Sequence, residues 1–317
     1  MSNALIEVKN LKKYYSSKKH IIRAVDDVSF TIQRGTTLGL VGESGCGKTT
    51  LGRIMSGLYQ PDRGQVLFDG DIIGELSYKK KKELSKKIQM VFQDPLASLN
   101  PYFTIGQSLQ DCMNIHKLFP SKSDKDNKTC ELLEIVGLSE YYKNSFPHEL
   151  SGGQLQRASI ARALALRPQF IICDEVISAL DVSMQAQIIN LLLALQNQFS
   201  LTLLFISHDL SMVRHISDNI AVMYMGNIVE YGETDELFES PLHPYTKLLI
   251  NSISTAIPQK RIIHSLKKIY DLEEHFFIQD NCCSYCANCE YAVEMCARTK
   301  PLLKEVNPFH LVACHKS

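Results

Sequence analysis

Residues Gly42-Glu43-Ser44-Gly45-Cys46-Gly47-Lys48-Thr49 carry the pattern G-x-x-x-x-G-K-[ST], between the apolar run Thr37–Val41 and a helical pattern that begins at Lys48. Strand, glycine-rich loop and helix in that order are the context a phosphate-binding loop requires. Its glycines let the backbone curl until successive N–H groups point at phosphate oxygens. The helix start adds the positive end of its dipole. A lysine in this register neutralises β- and γ-phosphates, and the hydroxyl after it binds Mg²⁺. Lys48 and Thr49 are therefore the first candidate residues.

The loop implies an α/β fold, and the rest of the chain agrees. Short β-branched runs predict strands at Leu5–Val8, Val28–Ile32, Thr37–Val41, Val66–Phe68, Gln89–Phe92, Phe170–Cys173 and Leu203–Ile206. Ile220–Tyr224 and Ile228–Tyr231 flank a Gly-Asn turn. Helical periodicity covers Lys48–Met55, Lys128–Val136, Gly153–Leu166, Met184–Asn197 and Leu210–Ile216. This alternation predicts a central parallel sheet. The stretch from Pro95 to Pro147 lacks a strand pattern and reads as a helical insertion. His243-Pro244-Tyr245 opens a short helix to about Ile253, a polar linker follows, and a cysteine-rich tail ends the chain.

Composition narrows the functional classes. Lys plus Arg and Asp plus Glu each number 34, so the balance of zero argues against a nucleic-acid partner. The basic run Lys79–Lys82 reads as a solvated helix face. No run approaches the roughly 18 apolar residues of a membrane span, and the start has no secretory signal, which predicts a cytosolic location. Six of the ten cysteines lie between Cys282 and Cys314. In a cytosolic chain such a cluster points to a metal or iron–sulfur centre rather than to disulfides.

Further motifs complete a nucleotide site. The apolar strand Phe170–Cys173 delivers Asp174 to the sheet edge, where it suits Mg²⁺, and Glu175 beside it suits polarisation of a water. Leu150-Ser151-Gly152-Gly153-Gln154 is a second anion-binding turn at a helix start. One nucleotide does not need two cradles in one chain. A head-to-tail dimer, with each nucleotide between one chain's loop and the other's serine turn, resolves the duplication. His208 ends the strand Leu203–Ile206.

With these residues the sequence resembles the ATP-binding cassette (ABC) ATPases over residues 4–240. The resemblance implies a P-loop cassette with a helical subdomain at about 95–165, plus a small Cys-rich extension over 241–317. It assigns Ser44, Gly45, Cys46, Gly47, Lys48, Thr49 and Thr50, with Gly42, to the ATP phosphates, and Thr49, Gln93 and Asp174 to Mg²⁺. Glu175 becomes the catalytic base, aided by Gln93 of the Q-loop and His208 of the switch. Tyr15 takes the adenine-stacking position, with Tyr14 a neighbouring option. Ser151, Gly152, Gly153 and Gln154 act in trans, and Asp181 of the D-loop bridges the chains.

Gly45-Cys46-Gly47-Lys48, Phe92-Gln93-Asp94-Pro95-Leu96-Ala97-Ser98-Leu99-Asn100-Pro101, Gly153-Gln154-Leu155-Gln156-Arg157 and His243-Pro244-Tyr245-Thr246 look like the oligopeptide/dipeptide/nickel importers, in their F-type ATPase subunit. That likeness implies a second ATPase subunit forming a heterodimer, two transmembrane permeases, an extracellular solute-binding protein, and a peripheral place on the inner membrane face. It also implies a [4Fe–4S] cluster on Cys283, Cys289, Cys296 and Cys314, leaving Cys282 and Cys286 spare, with a Cys₄ zinc site as the rival. One departure stands out: the family's Glu-Pro-Thr-Ser is here Glu175-Val176-Ile177-Ser178. The competing readings are a soluble ABC ATPase of translation or DNA repair, and an iron–sulfur ATPase that uses ATP only as a switch.

Overall fold

The computed structural model describes residues 4–16, 21–253 and 281–316. The polar linker expected after Ile253 lies outside the described residues.

Two sheets enclose the first core. Strands β1 (Ala4–Ser16), β2 (Ile21–Gln33), β4 (Arg63–Phe68) and β5 (Asp71–Ile72) form an antiparallel sheet in the order β2-β1-β4-β5. The second sheet contains β3 (Thr37–Val41), β6 (Ile88–Val91), β7 (Phe170–Asp174), β8 (Thr202–Ser207), β9 (Asn219–Tyr224), β10 (Asn227–Glu233), β11 (Lys304–Asn307) and β12 (His310–Val312). Its order is β11-β12-β10-β9-β3-β8-β7-β6, and the five strands from β9 to β6 run parallel.

The parallel strands are near-continuous apolar runs because both of their faces are covered. In β8, Leu204 and Ile206 join the core shared with the antiparallel sheet, while Leu203 and Phe205 join the helical side. In β7, Phe170 and Ile172 alternate with Ile171 and Cys173 in the same way. The strand-free stretch is helical as expected, with helices Ile105–Ile115 and Lys122–Ile135 packed against Gly152–Leu164. Helix Tyr78–Lys87 exposes Lys79–Lys82 to solvent.

Register places the site. Val41 sits beside Ser207, Ile206 beside Asp174, and Cys173 beside Val91. The carboxyl ends of β3, β8, β7 and β6 are therefore level, and ligands of open α/β sheets bind beyond such ends. The tail returns to the same sheet: β12 pairs with β10, setting Val312 against Glu230 and Leu311 against Tyr231.

Candidate functional site: a nucleotide pocket at the carboxyl ends of the parallel strands

The loop after β3 curls as its glycines predict. Gly42, Gly45 and Gly47 have φ of 155°, 81° and 111°. A Cβ at Gly47 would stand 1.8 Å from the Ala24 carbonyl oxygen, and one at Gly42 would stand 2.1 Å from that of Met223. Side chains are excluded at both positions. Lys48 is buried, and its Nζ donates to the carbonyls of Gly42 (2.7 Å) and Glu43 (2.8 Å). Burial also pushes the Cys46 thiol up, keeping it protonated inside the loop.

Thr49 Oγ1 donates to Asp174 Oδ1 at 2.9 Å, so the first helix and the end of β7 meet where both were assigned to Mg²⁺. Burial pushes the Asp174 carboxyl upward, and the Thr49 hydroxyl opposes that rise. A hydroxyl and a carboxylate oxygen side by side are hard donors that suit Mg²⁺.

Glu175 follows with φ of 47°, a left-handed conformation held by its N–H donating to Ile206 O at 3.0 Å. Non-glycine residues adopt this region at a cost that functional sites repeatedly carry. Gln93 Nε2 donates to Glu175 Oε2 at 3.0 Å, and His208 Nδ1 lies 3.7 Å from Oε1. The Val176-Ile177 departure is absorbed by packing: both side chains are only 2% exposed and sit in the helical-side core. Ser178 N and Oγ both donate to Glu175 O, at 3.1 and 2.9 Å, and close the turn.

Of the two adjacent tyrosines, Tyr14 is engaged. Its hydroxyl donates to Asp26 Oδ1 at 2.5 Å, and burial pushes it up to about 12. Tyr15 is 38% exposed, with Lys13 Nζ 5.7 Å from its ring centroid. Tyr15 is therefore the more exposed of the two rings.

Ser151 caps a different helix, Gly152–Leu164, through a capping box with Gln154. Gln154 Nε2 also donates to the Tyr142 hydroxyl at 2.7 Å. Exposed Asp181 caps the helix Val182–Phe199. The structure therefore gathers Lys48, Thr49, Gln93, Asp174, Glu175 and His208 in one place, and gives Ser151–Gln154 and Asp181 to other helix starts.

Two links to the site were not assigned from sequence. Arg162 donates to Ser98 O at 2.8 Å, tying the helix after the serine turn to the segment after Gln93. The Tyr245 hydroxyl accepts the Glu43 N–H at 3.0 Å. Both residues stand in quoted motifs or helices, but spacing alone could not reveal partners 64 and 202 positions away.

In the tail, Cys283, Cys289, Cys296 and Cys314 line one pocket, together with His243, Tyr285 and His315. Cys286, read as spare, lines it too, a consequence of the turn that donates Cys286 N to Cys283 O. Burial pushes the Cys283 thiol up to about 11, and its neighbours Cys296, Cys286 and Cys289 add to the rise. Soft thiol donors suit a thiophilic centre in kind. Among the described residues, however, no group of three or more His, Cys, Asp or Glu side chains is arranged to hold a metal ion. Nor is any described helix long and apolar enough to cross a membrane.

Comparison with known proteins fits this geometry. Residues 25–178 match the ABC transporter family, and residues 229–296 match the oligopeptide/dipeptide transporter C-terminal region. The oligopeptide transport ATP-binding protein OppF of Bacillus subtilis (strain 168) is 53% identical over 81% of this chain and 85% of its own length. The oligopeptide transport ATP-binding protein AppF of the same organism is 45% identical over 98% of this chain and 97% of its own. Among solved structures, a dimeric post-hydrolysis state of the ATP-binding cassette MJ0796 with ADP and Pi superposes with a TM-score of 0.66 at 27% identity, covering 72% of this chain and 98% of that one.

Proposed function

This chain belongs to the ABC transporter ATP-binding proteins of the oligopeptide type, and from that premise we propose that its ATP hydrolysis drives peptide import as one of two paired ATPase subunits. The observation that carries the catalytic reading is the Glu175 carboxylate, 3.0 Å from the Gln93 amide and 3.7 Å from His208 at the carboxyl ends of the strands.

Each residue then has a task. The loop amides from Ser44 to Thr50 and the Lys48 ammonium hold the β- and γ-phosphates. Thr49 and Asp174 supply oxygen donors for Mg²⁺, which offsets phosphate charge when bound. Glu175 accepts a proton from the attacking water while Gln93 fixes the second carboxylate oxygen. His208 contacts the γ-phosphate, and Tyr15 stacks on adenine. Ser151, Gly152, Gly153 and Gln154 complete the partner subunit's site, with Asp181 at the seam.

Membrane coupling follows the same logic. Gln93 touches the catalytic carboxylate, and the segment after it exposes Asp94, Leu96 and Ala97. A change at the γ-phosphate would thereby move a surface available to two permease subunits, which fits a protein bound peripherally to the inner membrane face. The likeness to oligopeptide transport ATP-binding proteins favours this reading over a soluble cassette of translation or DNA repair. For the tail, Cys283, Cys289, Cys296 and Cys314 line one pocket without being arranged as a metal site, and the motif likeness is what points to a [4Fe–4S] cluster there, with zinc as the competing occupant. Anaerobic purification distinguishes them: about four irons per chain or one zinc.

Glu175→Gln tests the catalytic reading. The amide keeps the shape but accepts no proton, so turnover falls by roughly 10²–10⁴-fold while ATP binding persists. Wild-type turnover in that variant would overturn the assignment. Reconstitution with the permeases tests transport: peptide-loaded binding protein should stimulate hydrolysis, and ribosome or DNA stimulation would refute import.

A further inference from the structure

One peptide plane in the phosphate loop is gripped from both ends. The Gly42 carbonyl accepts from Lys48 Nζ at 2.7 Å, while the N–H of the same peptide, at Glu43, donates to the Tyr245 hydroxyl at 3.0 Å. Gly42 holds φ of 155° there, and the plane lies between the phosphate-binding lysine and a residue 202 positions away.

Tyr245 is itself firmly placed. It is fully buried at 0% exposure, in the first turn of helix Pro244–Ile253. His243 caps that turn, its Nδ1 accepting Tyr245 N at 3.1 Å. Burial holds His243 down at about 4, so the ring stays neutral and able to accept. The His243 N–H in turn donates to buried Glu230 on β10 at 2.9 Å. The Tyr245 ring packs against Tyr224 (centroids 4.6 Å apart) and Tyr285 (5.4 Å), and Tyr285 lines the cysteine pocket.

We propose that Tyr245 is a positioning residue of the phosphate loop, and that the C-terminal region sets ATP affinity through it. The proposal rests on the ATP-site reading above and adds the residue that orients the Gly42–Glu43 peptide. Without the hydroxyl, the Glu43 N–H loses its partner and the peptide is held from the Lys48 side alone. Lys48 then shares its donors with a less ordered carbonyl, which weakens phosphate binding before it slows chemistry.

The test uses the full-length chain, with fluorescent ATP-analogue binding and steady-state ATPase measured side by side. Tyr245→Phe keeps the ring and removes the hydroxyl; the expected result is a rise of roughly 2–10-fold in Kd and in KM for ATP, the range set by one net hydrogen bond, with kcat retained. Tyr231→Phe is the control, because it removes another tyrosine hydroxyl bonded to backbone, at Thr31 O, and should change neither constant. Tyr285→Ala removes the ring behind Tyr245 and should raise KM, whereas Tyr285→Phe should restore it. Unchanged KM in Tyr245→Phe, with active wild type, overturns the positioning role. A KM rise in Tyr245→Phe but not in Tyr285→Ala overturns the coupling to the tail. Wild-type protein without ATP binding would instead sink the ATP-site reading itself.

Discussion

The two helix starts proposed to meet phosphate are built in opposite ways. Helix Lys48–Met55 begins at Gly47 with no side-chain cap, in a left-handed conformation. Helix Gly152–Leu164 begins at Ser151 with a full capping box, in which Gln154 Oε1 accepts Ser151 N at 3.0 Å. The first start leaves its donors to a ligand, as a primary phosphate cradle must. The second gives partners to Ser151 N and Gln154 N, so under the head-to-tail proposal a partner's phosphate reaching the Ser151 hydroxyl would compete with the bond from Gln154 N. The bond from Gln154 N to Ser151 Oγ is long, at 3.4 Å, and is the easier of the two to exchange. An uncapped start suits the primary hold on a nucleotide, and a start with an exchangeable cap suits a contact that a second chain makes and breaks.

Substitutions break this contrast most sharply at the glycines and the lysine of the first start. In Gly47→Ala the new Cβ meets the Ala24 backbone oxygen at 1.8 Å with φ at 111°. Strain and overlap of about 2–5 kcal/mol should refold the loop, and equilibrium binding should show ATP affinity lost by 30-fold or more, roughly, on that scale. Lys48→Ala leaves the loop's shape but removes charge-assisted bonds, so affinity should weaken by roughly 10–100-fold by the same assay. Normal affinity in either variant would remove the primary role of this start.

The second start should respond more mildly. Ser151→Ala loses the cap and about 1 kcal/mol of stability in denaturant unfolding. In a mixed dimer carrying the change in this chain alone, turnover should fall at the partner's phosphate loop; a loss confined to this chain's own loop would end the head-to-tail arrangement. Gly153→Ala should matter least for stability. Its Cβ meets Met184 Cε at 1.9 Å, the free end of a flexible side chain, and at the second helical position alanine gains at most the roughly 1 kcal/mol it brings to a helix interior. A net change beyond about 1 kcal/mol would mean that Gly153 is as constrained as Gly47, and the contrast would narrow.

How far these features were readable depends on whether local pattern or distant pairing decides them. Thr37–Val41, Lys48–Met55 and Leu210–Ile216 form the expected elements to the residue, since each is a compact apolar or amphipathic run with local signals at its ends. The first two strands were expected as short pieces, yet they run through 13 residues each. Left-handed Asn10 and Asp27 break the alternation at shifts in the β1–β2 register, and charged residues carry the strands onward. Helix Ile105–Ile115 was missed within the helical insertion, although its Thr104–Gln107 capping box was a readable start signal. The site's contiguous motifs were legible because each residue type answers one chemical need. The bond between Glu43 and Tyr245 was not, because only the folded chain brings those positions together.

The tail strand carries a last consequence. Strand β12 covers the outer side of β10, and His310 beneath it lies 2.8 Å from Glu230 and 3.1 Å from Glu236. A chain cut before the tail would present β10 as a bare edge, with an unpartnered backbone ladder and an exposed carboxylate beneath it. Such edges recruit other strands. Truncated protein should therefore tend to self-associate.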